Sequence, residues 1–364
     1  MDKSRTLLIA IGQGASIIVD RMKTKNPRYP VLFINSTIRD LKGLENLNLE
    51  TNTILYNGTD GTGNNGILGA KYAQENQYIL SSKLTKYIGI DTYVIFFTGG
   101  GGTGQGGFSK VVEILKKAFP TKKINLVAIA PRFEEGKERI FNFLSCWNNI
   151  NKVIPHVDDI KIVDNNLRKD DFGRSFDYIN ESIVNHLDAC YSLSGSHGEQ
   201  SIDNGDSLRV NTAKGFGAVF VLPKNYKNAK DAFDVAIKNN PFALPNNNKL
   251  RYSMSGINLI ENGYDVDETI GQFKSKKIPY ITYNSKLNVV VLGGGAVPSN
   301  FIDSYKEVYE DYLDQEKEES ITQTKEYTID FEMDETIENS IEPKNNIIYD
   351  EDELDNLIFD DSMF

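Results

Sequence analysis

Two cysteines in 364 residues, Cys146 and Cys190, are too few for a disulfide-stapled fold. Three scattered histidines, His156, His186 and His197, leave no Cys/His group with zinc-binding spacing. No run approaches the roughly eighteen uninterrupted apolar residues of a membrane span, so membrane insertion is not expected. The opening Met1–Arg5 leads into a short apolar stretch, Leu7–Ile11, without the cleavage site of a secretory signal, and a reducing cytoplasm is the expected compartment. What remains is ordinary for a globular chain: 40% hydrophobic and 25% charged residues.

The net charge of −11 is unevenly spread. Residues 314–364 hold 18 acidic and 3 basic side chains, leaving 33 acidic and 37 basic ones for residues 1–313. A mildly basic body therefore carries a strongly acidic tail, and partners must be considered for each separately.

Along the body, apolar strand-like runs alternate with amphipathic stretches, the pattern of a parallel α/β sheet. Leu7–Ile11, Val31–Ile34, Tyr93–Thr98, Ile124–Ala130 and Ile160–Val163 are nearly continuous in hydrophobicity, as strands covered on both faces should be. Helices are expected at Ala15–Met22, Phe108–Ala118, Lys137–Asn149 and Phe176–Tyr191; the last has Phe176, Ile179, Ile183, Val184 and Leu187 at helical spacing. Shorter strands, at Gly215–Leu222, Arg251–Asn258, Tyr280–Tyr283 and Asn288–Leu292, form a smaller mixed unit with helices at Asp231–Lys238 and near Glu268–Phe273. The expected organisation is a Rossmann-like parallel-sheet domain over 1–173, a central connector helix over 174–196, a mixed α/β domain over 197–300, a helix over 301–314 and a disordered acidic tail over 315–364.

Tyr93–Thr98 runs straight into Gly99-Gly100-Gly101-Gly102-Thr103-Gly104-Gln105-Gly106-Gly107, and an apolar helix follows. Strand, glycine loop and helix together present backbone N–H groups and a helix N-terminus to a phosphate. Seven glycines in nine residues exceed what a turn or bulge needs. The run lacks the lysine of a Walker A loop, and Gly12-Gln13-Gly14 after the first strand lacks the third glycine of a dinucleotide fingerprint. Asn35, where a dinucleotide enzyme would carry an acidic residue on the ribose, argues further against a dinucleotide-dependent oxidoreductase.

Gly100 to Gly106 resembles the GGGTG-S/T-G signature of the tubulin/FtsZ superfamily, with Gln105 at the variable place. The resemblance implies a GTP/GDP site. Gly12, Gln13 and Gly14 are then similar to the family's first phosphate loop, Asn35-Ser36-Thr37 to its second, and the Gly58–Gly63 stretch, with Gly61, Gly63, Asn64 and Asn65, to its γ-phosphate loop. Gly100, Gly101, Gly102, Thr103, Gly104, Gln105 and Gly106 would cradle the phosphates. Glu135 and Arg139 would meet the ribose, Asn165 the sugar and guanine, and Phe176 and Asn180 would stack on the base and bond its edge. Magnesium is expected with the triphosphate, without nameable protein ligands.

In this family a loop after the connector helix enters the nucleotide pocket of the next subunit. Asp203 and Asp206 stand three apart there, though without the asparagine that usually precedes them, and would polarise the attacking water. A head-to-tail homopolymer that hydrolyses GTP is implied. Cys146–Asn149, Val163–Asn166 and Ser196–Glu199 look most like the phage- and plasmid-encoded TubZ group, whose members move DNA. A division-ring protein and a non-hydrolysing assembly regulator remain as alternatives. The acidic tail, with Leu354, Leu357, Ile358 and Phe359 amid carboxylates, is read as a solubilising segment or as a docking motif for an adaptor protein or a neighbouring subunit; direct nucleic-acid binding is not expected.

Overall fold

The structure, a computed structural model, describes residues 1–57, 60–167, 172–194, 201–245, 250–284 and 286–326. The expected segments at Gly58–Thr59, Ser196–Glu199 and 327–364 lie outside the described residues.

The first half runs β1 (Thr6–Ile11), α1 (Gln13–Lys25), β2 (Val31–Asn35), β3 (Thr53–Leu55), α2 (Gly66–Glu75), α3 (Gln77–Leu84), β4 (Thr92–Thr98), α4 (Gly102–Ala118), β5 (Lys123–Ile129), α5 (Lys137–Val153) and β6 (Asp159–Val163). The second runs α6 (Phe172–Tyr191), α7 (Asn204–Asn211), β7 (Phe216–Leu222), α8 (Ala229–Lys238), β8 (Leu250–Tyr252), β9 (Met254–Ile260), α9 (Val266–Ile270), β10 (Phe273–Ser275), β11 (Tyr280–Asn284), β12 (Asn288–Gly295) and α10 (Ser299–Glu326).

One ten-stranded sheet has the order β11-β9-β12-β7-β6-β5-β4-β1-β2-β3. Strands β1 to β6 pair in parallel, in the spatial order 3-2-1-4-5-6 of doubly wound folds. Such a sheet reverses its winding between β1 and β4, and the crevice beyond the carboxyl ends of those strands is where a ligand fits. The sheet does not stop at the connector helix: β7 joins β6 in parallel at Ile160 and Phe216, and β12 then runs antiparallel between β7 and β9. The mixed half is thus a continuation of the same sheet.

Strand periodicity explains the layers. On β1, Leu7, Ile9 and Ile11 face a core built with α2 to α5 and α10, while Leu8 and Ala10 face α1 and α6. On β7, Ala218, Phe220 and Leu222 meet α8, whereas Val219 joins the α6 side. The stripe Ile179, Ile183, Val184 and Leu187 of α6 is buried against the second core, as its spacing predicts. Each such side chain contributes about 2 kcal/mol when withdrawn from water.

Several boundaries differ from expectation. The glycine run is not a loop throughout, since α4 begins at Gly102. The predicted strand at Arg251–Asn258 breaks at Ser253 into β8 and β9. The C-terminal helix starts at Ser299 and continues to Glu326, past residue 314 and into the segment expected to be disordered. Lysines, glutamates and glutamines there are good helix formers, so an acidic composition alone did not mark the helix end.

Candidate functional site

A cleft of 440 Å³ opens at the carboxyl ends of β1 and β4, within the range of small-molecule sites. Two helices begin at its floor. Helix α1 starts behind Gly12, whose φ of +87° is a conformation open to glycine. Helix α4 starts behind Gly101. The first-turn N–H groups of a helix have no partner within it, and its N-terminus carries roughly half a positive charge. Two such ends converging on one cleft make an anion site from backbone alone. Arg139 lines the cleft 3.4 Å from Glu135, and a second cation, Arg132 in the far wall, lies over the Phe176 ring, while the floor itself offers backbone N–H groups to a phosphate.

Thr98, the last residue of β4, fixes how closely the two loops approach. A Cβ on Gly104 would stand 2.8 Å from the Thr98 backbone nitrogen, and one on Gly14 would stand 2.9 Å from its methyl group. Thr103 projects its hydroxyl to 2.7 Å from Ser36 Oγ and 3.4 Å from Thr62 Oγ1. Among the described residues no group of three His, Cys, Asp or Glu is placed to hold a metal. The three hydroxyls suit a hydrated magnesium ion that arrives on a triphosphate, because that ion keeps several of its waters.

The far wall is the segment from Pro131 to Glu135. Glu135 accepts from the Arg132 N–H at 2.8 Å, capping its own turn. Asn165 donates to the Ala130 carbonyl at 2.9 Å. Phe176 and Asn180 close the cleft from α6, and the Arg132 guanidinium lies 3.9 Å over the Phe176 ring. Asp40, whose carboxyl burial pushes up against an opposing hydrogen bond from Asn35, completes the rim.

The structure gathers Gly12, Gln13, Gly14, Gly100, Gly101, Gly102, Thr103, Gly104, Glu135, Arg139, Asn165, Phe176 and Asn180 around this cleft. Others of the expected set turn elsewhere. Asn35 is fully buried and accepts from the Ser36 N–H at 2.7 Å. The loop at 61–64 lines the cleft with Thr62 and Asn64 rather than with Gly61 and Gly63, both at positive φ. Gln105 packs against Gly66 on α2, and Gly106 meets α2 as well: a Cβ there would lie 2.2 Å from the Gly66 carbonyl oxygen. The second half of the glycine run thus serves helix packing. Ser36, Thr62 and Asn64 belong to the two loops the sequence singles out; Thr98, Asp40 and Arg132 have no such motif, and the position of Thr98 at the end of the strand is the one sequence signal among them.

Asp203 and Asp206 are not in a loop. Asp203 is the N-cap of α7 and accepts from the Asp206 N–H at 2.7 Å; Asp206 lies in the first turn, 3.7 Å from Arg209. The start of α7 lines a small cavity of 210 Å³ with Thr6 and Thr92, the first residues of β1 and β4. The acidic pair therefore sits at the amino ends of the strands whose carboxyl ends bear the cleft.

Residues 7–170 match the Tubulin/FtsZ family, GTPase domain. This region is a tubulin/FtsZ GTPase domain. The chain is 25% identical over 319 residues to the tubulin-like protein TubZ of Clostridium botulinum C phage, spanning 87% of this chain and 86% of that one. The crystal structure of Clostridium botulinum phage c-st TubZ superposes with a TM-score of 0.76 at 23% identity, covering 86% of this chain and all of the other. A GTPγS-form protofilament of Bacillus thuringiensis serovar israelensis TubZ gives 0.71 at 16% identity, over 87% and 94% of the two chains. The matched region thus contributes the glycine floor of the cleft, while α6 and α7, which follow it, bring the wall with Phe176 and Asn180 and the acidic pair. Among the described residues no helix is long and apolar enough to cross a membrane.

Proposed function

We propose that this chain is a GTP-hydrolysing protein that assembles head to tail, each cleft being completed by α7 of the next copy. The observation that supports this reading is the opposition of the two half-sites. The cleft touches Thr98 and the α7 cavity touches Thr92, the two ends of β4. A seven-residue strand is about 20 Å long, so Asp203 and Asp206 are out of reach of their own chain's cleft. Stacking copies along the strand direction brings the α7 end of one onto the cleft of another.

In such an interface the glycine floor holds the α- and β-phosphates by backbone N–H groups, and Thr103 stands beside the terminal phosphate. Phe176 and Asn180 take the base, and Arg139 and Glu135 the ribose. Magnesium, when bound, neutralises part of the charge on the β- and γ-phosphates. Asp203 and Asp206 accept hydrogen bonds from the attacking water and orient it in line with the γ-phosphorus; its oxygen bonds to that phosphorus as the bond to the β-phosphate oxygen breaks, giving GDP and phosphate. Likeness to a phage TubZ favours positioning or segregation of a phage or plasmid genome over a division ring, with the acidic tail as the place where an adaptor would dock.

Light scattering with GTP, GDP and a slowly hydrolysed analogue, read beside phosphate release, tests the reading. Scattering should rise with GTP, decay as phosphate appears, and persist with the analogue. Flat scattering at all protein concentrations would contradict assembly. Thr103→Val, which removes the central hydroxyl of the trio, should weaken GTP binding about tenfold in a fluorescent-nucleotide titration; unchanged affinity would put that hydroxyl outside the phosphate's reach.

A further inference from the structure

Helix α10 grips the outer side of the cleft wall. Tyr305, fully buried, donates its hydroxyl to the Pro131 carbonyl at 2.5 Å and accepts from Asn166 Nδ2 at 2.9 Å. Tyr312, two turns further along the same face, donates to the Phe133 carbonyl at 2.8 Å. These two carbonyls flank Arg132, the residue that covers Phe176. The Phe133 ring meets Tyr305 edge-on at 4.9 Å, and Lys137 pairs with Glu316 at 2.6 Å one turn beyond Tyr312. Burial pushes the Tyr305 hydroxyl well above its ordinary value, so it stays protonated as a donor. The strip whose inner side forms the cleft wall is thus held at its backbone, from outside, by the C-terminal helix.

We propose that α10 is part of the nucleotide site, with Tyr305 and Tyr312 as positioning residues, so that the seating of α10 and the affinity for nucleotide are linked. This rests on reading the cleft as a GTP site. Linkage is reciprocal: whatever unseats α10 loosens the nucleotide, and losing the nucleotide loosens α10 by the same factor. Because the chain continues from α10 into its acidic tail, a partner pulling on that tail changes nucleotide exchange without touching the cleft.

The test uses the full chain below its assembly concentration, loaded with N-methylanthraniloyl-GDP. Tyr305→Phe, Tyr312→Phe and the double variant keep the rings and remove only the hydroxyls. Nucleotide release should accelerate roughly three- to tenfold in the double variant, with each single variant between it and the parent. Tyr309→Phe is the control, since that ring meets Phe141 rather than the strip; its release rate should match the parent. Tyr312 is only partly buried, so its variant stands alone if Tyr305→Phe does not fold. In the parent protein, added GDP should slow amide exchange along α10, which a purely structural tyrosine contact would not do. Release at the parental rate from Tyr312→Phe and the double variant, or α10 exchange indifferent to bound GDP, would overturn the proposal. A parent chain that binds no guanine nucleotide would instead overturn the GTP reading, and this proposal with it.

Discussion

Asp206→Asn is expected to leave GTP-driven assembly intact and to lower phosphate release by about a hundredfold or more, the scale of a lost general base or water-orienting carboxylate. An amide is nearly isosteric with the Asp206 carboxylate: the backbone N–H that serves the Asp203 cap is untouched, and the half-buried carboxylate loses only its 3.7 Å ion pair with exposed Arg209. Asp203 needs more care. As the N-cap of α7, it would cost about 1 kcal/mol of helix stability if changed to Ala, confounding chemistry with folding. Asn caps a helix as well as Asp, so Asp203→Asn isolates the charge. Both single variants should sediment with GTP as the parent does, and turnover should separate them from it. Parental phosphate release from the Asp203→Asn/Asp206→Asn double variant would show that α7 takes no part in hydrolysis.

Gly106→Ala should destabilise the fold by about 3 kcal/mol or more, the upper end of overpacking costs. The added methyl would fall 2.2 Å from the Gly66 carbonyl oxygen and 2.3 Å from the Ala70 nitrogen, both backbone atoms of α2. Neither can swing aside, so α2 must move off α4. Gly69 faces the same crossing from the other helix, its missing Cβ 2.1 Å from the Gly102 carbonyl oxygen. Because the N-terminus of α4 forms half of the cleft floor, the proposed site predicts that nucleotide affinity falls along with stability. The measurement is the urea midpoint, with the slope unchanged if the denatured state is unaltered. Gly43→Ala is the comparison: it has φ of +92° but open space around it, and should lose only about 1 kcal/mol. Equal midpoints for Gly106→Ala and the parent would mean the helices part without cost.

The sheet was legible because buried parallel strands are written as unbroken apolar runs, and Leu7–Ile11, Tyr93–Thr98 and Ile124–Ala130 are such runs. β3 with its three residues, and α2 and α3 behind an Asn- and Gly-rich turn, carried too little periodicity to be seen. The cleft was legible where a motif names backbone: Gly12, Gly14 and Gly100 to Gly104 line it together. It failed where chemistry depends on which way a side chain faces. A string of glycines does not say that Gly104 abuts β4 while Gly106 abuts α2. The cap at Asp203 is written in Asp203-Asn-Gly-Asp206, a good N-cap residue with an acid at the third helical position, although the resemblance alone implies a loop there. Nothing in the sequence tied Tyr305 or Tyr312, about 175 residues downstream, to the carbonyls of Pro131 and Phe133.

The central claim, a cleft completed by another copy's α7, is tested most directly by mixing two inactive variants. Asp203→Asn/Asp206→Asn keeps an intact cleft and loses the acidic pair. Gly101→Asp keeps the pair and places a carboxylate in the cleft floor, at a backbone conformation (φ −101°) that any residue adopts. Its Cβ would lie 2.9 Å from Thr98 Oγ1, so the Thr98 hydroxyl must shift, and the variant is used once its urea midpoint shows that it folds. Each alone should release almost no phosphate. An equimolar mixture that co-sediments with GTP should regain release, because half-sites of opposite kind then meet across subunits. A co-sedimenting mixture no more active than its separate components would contradict the account.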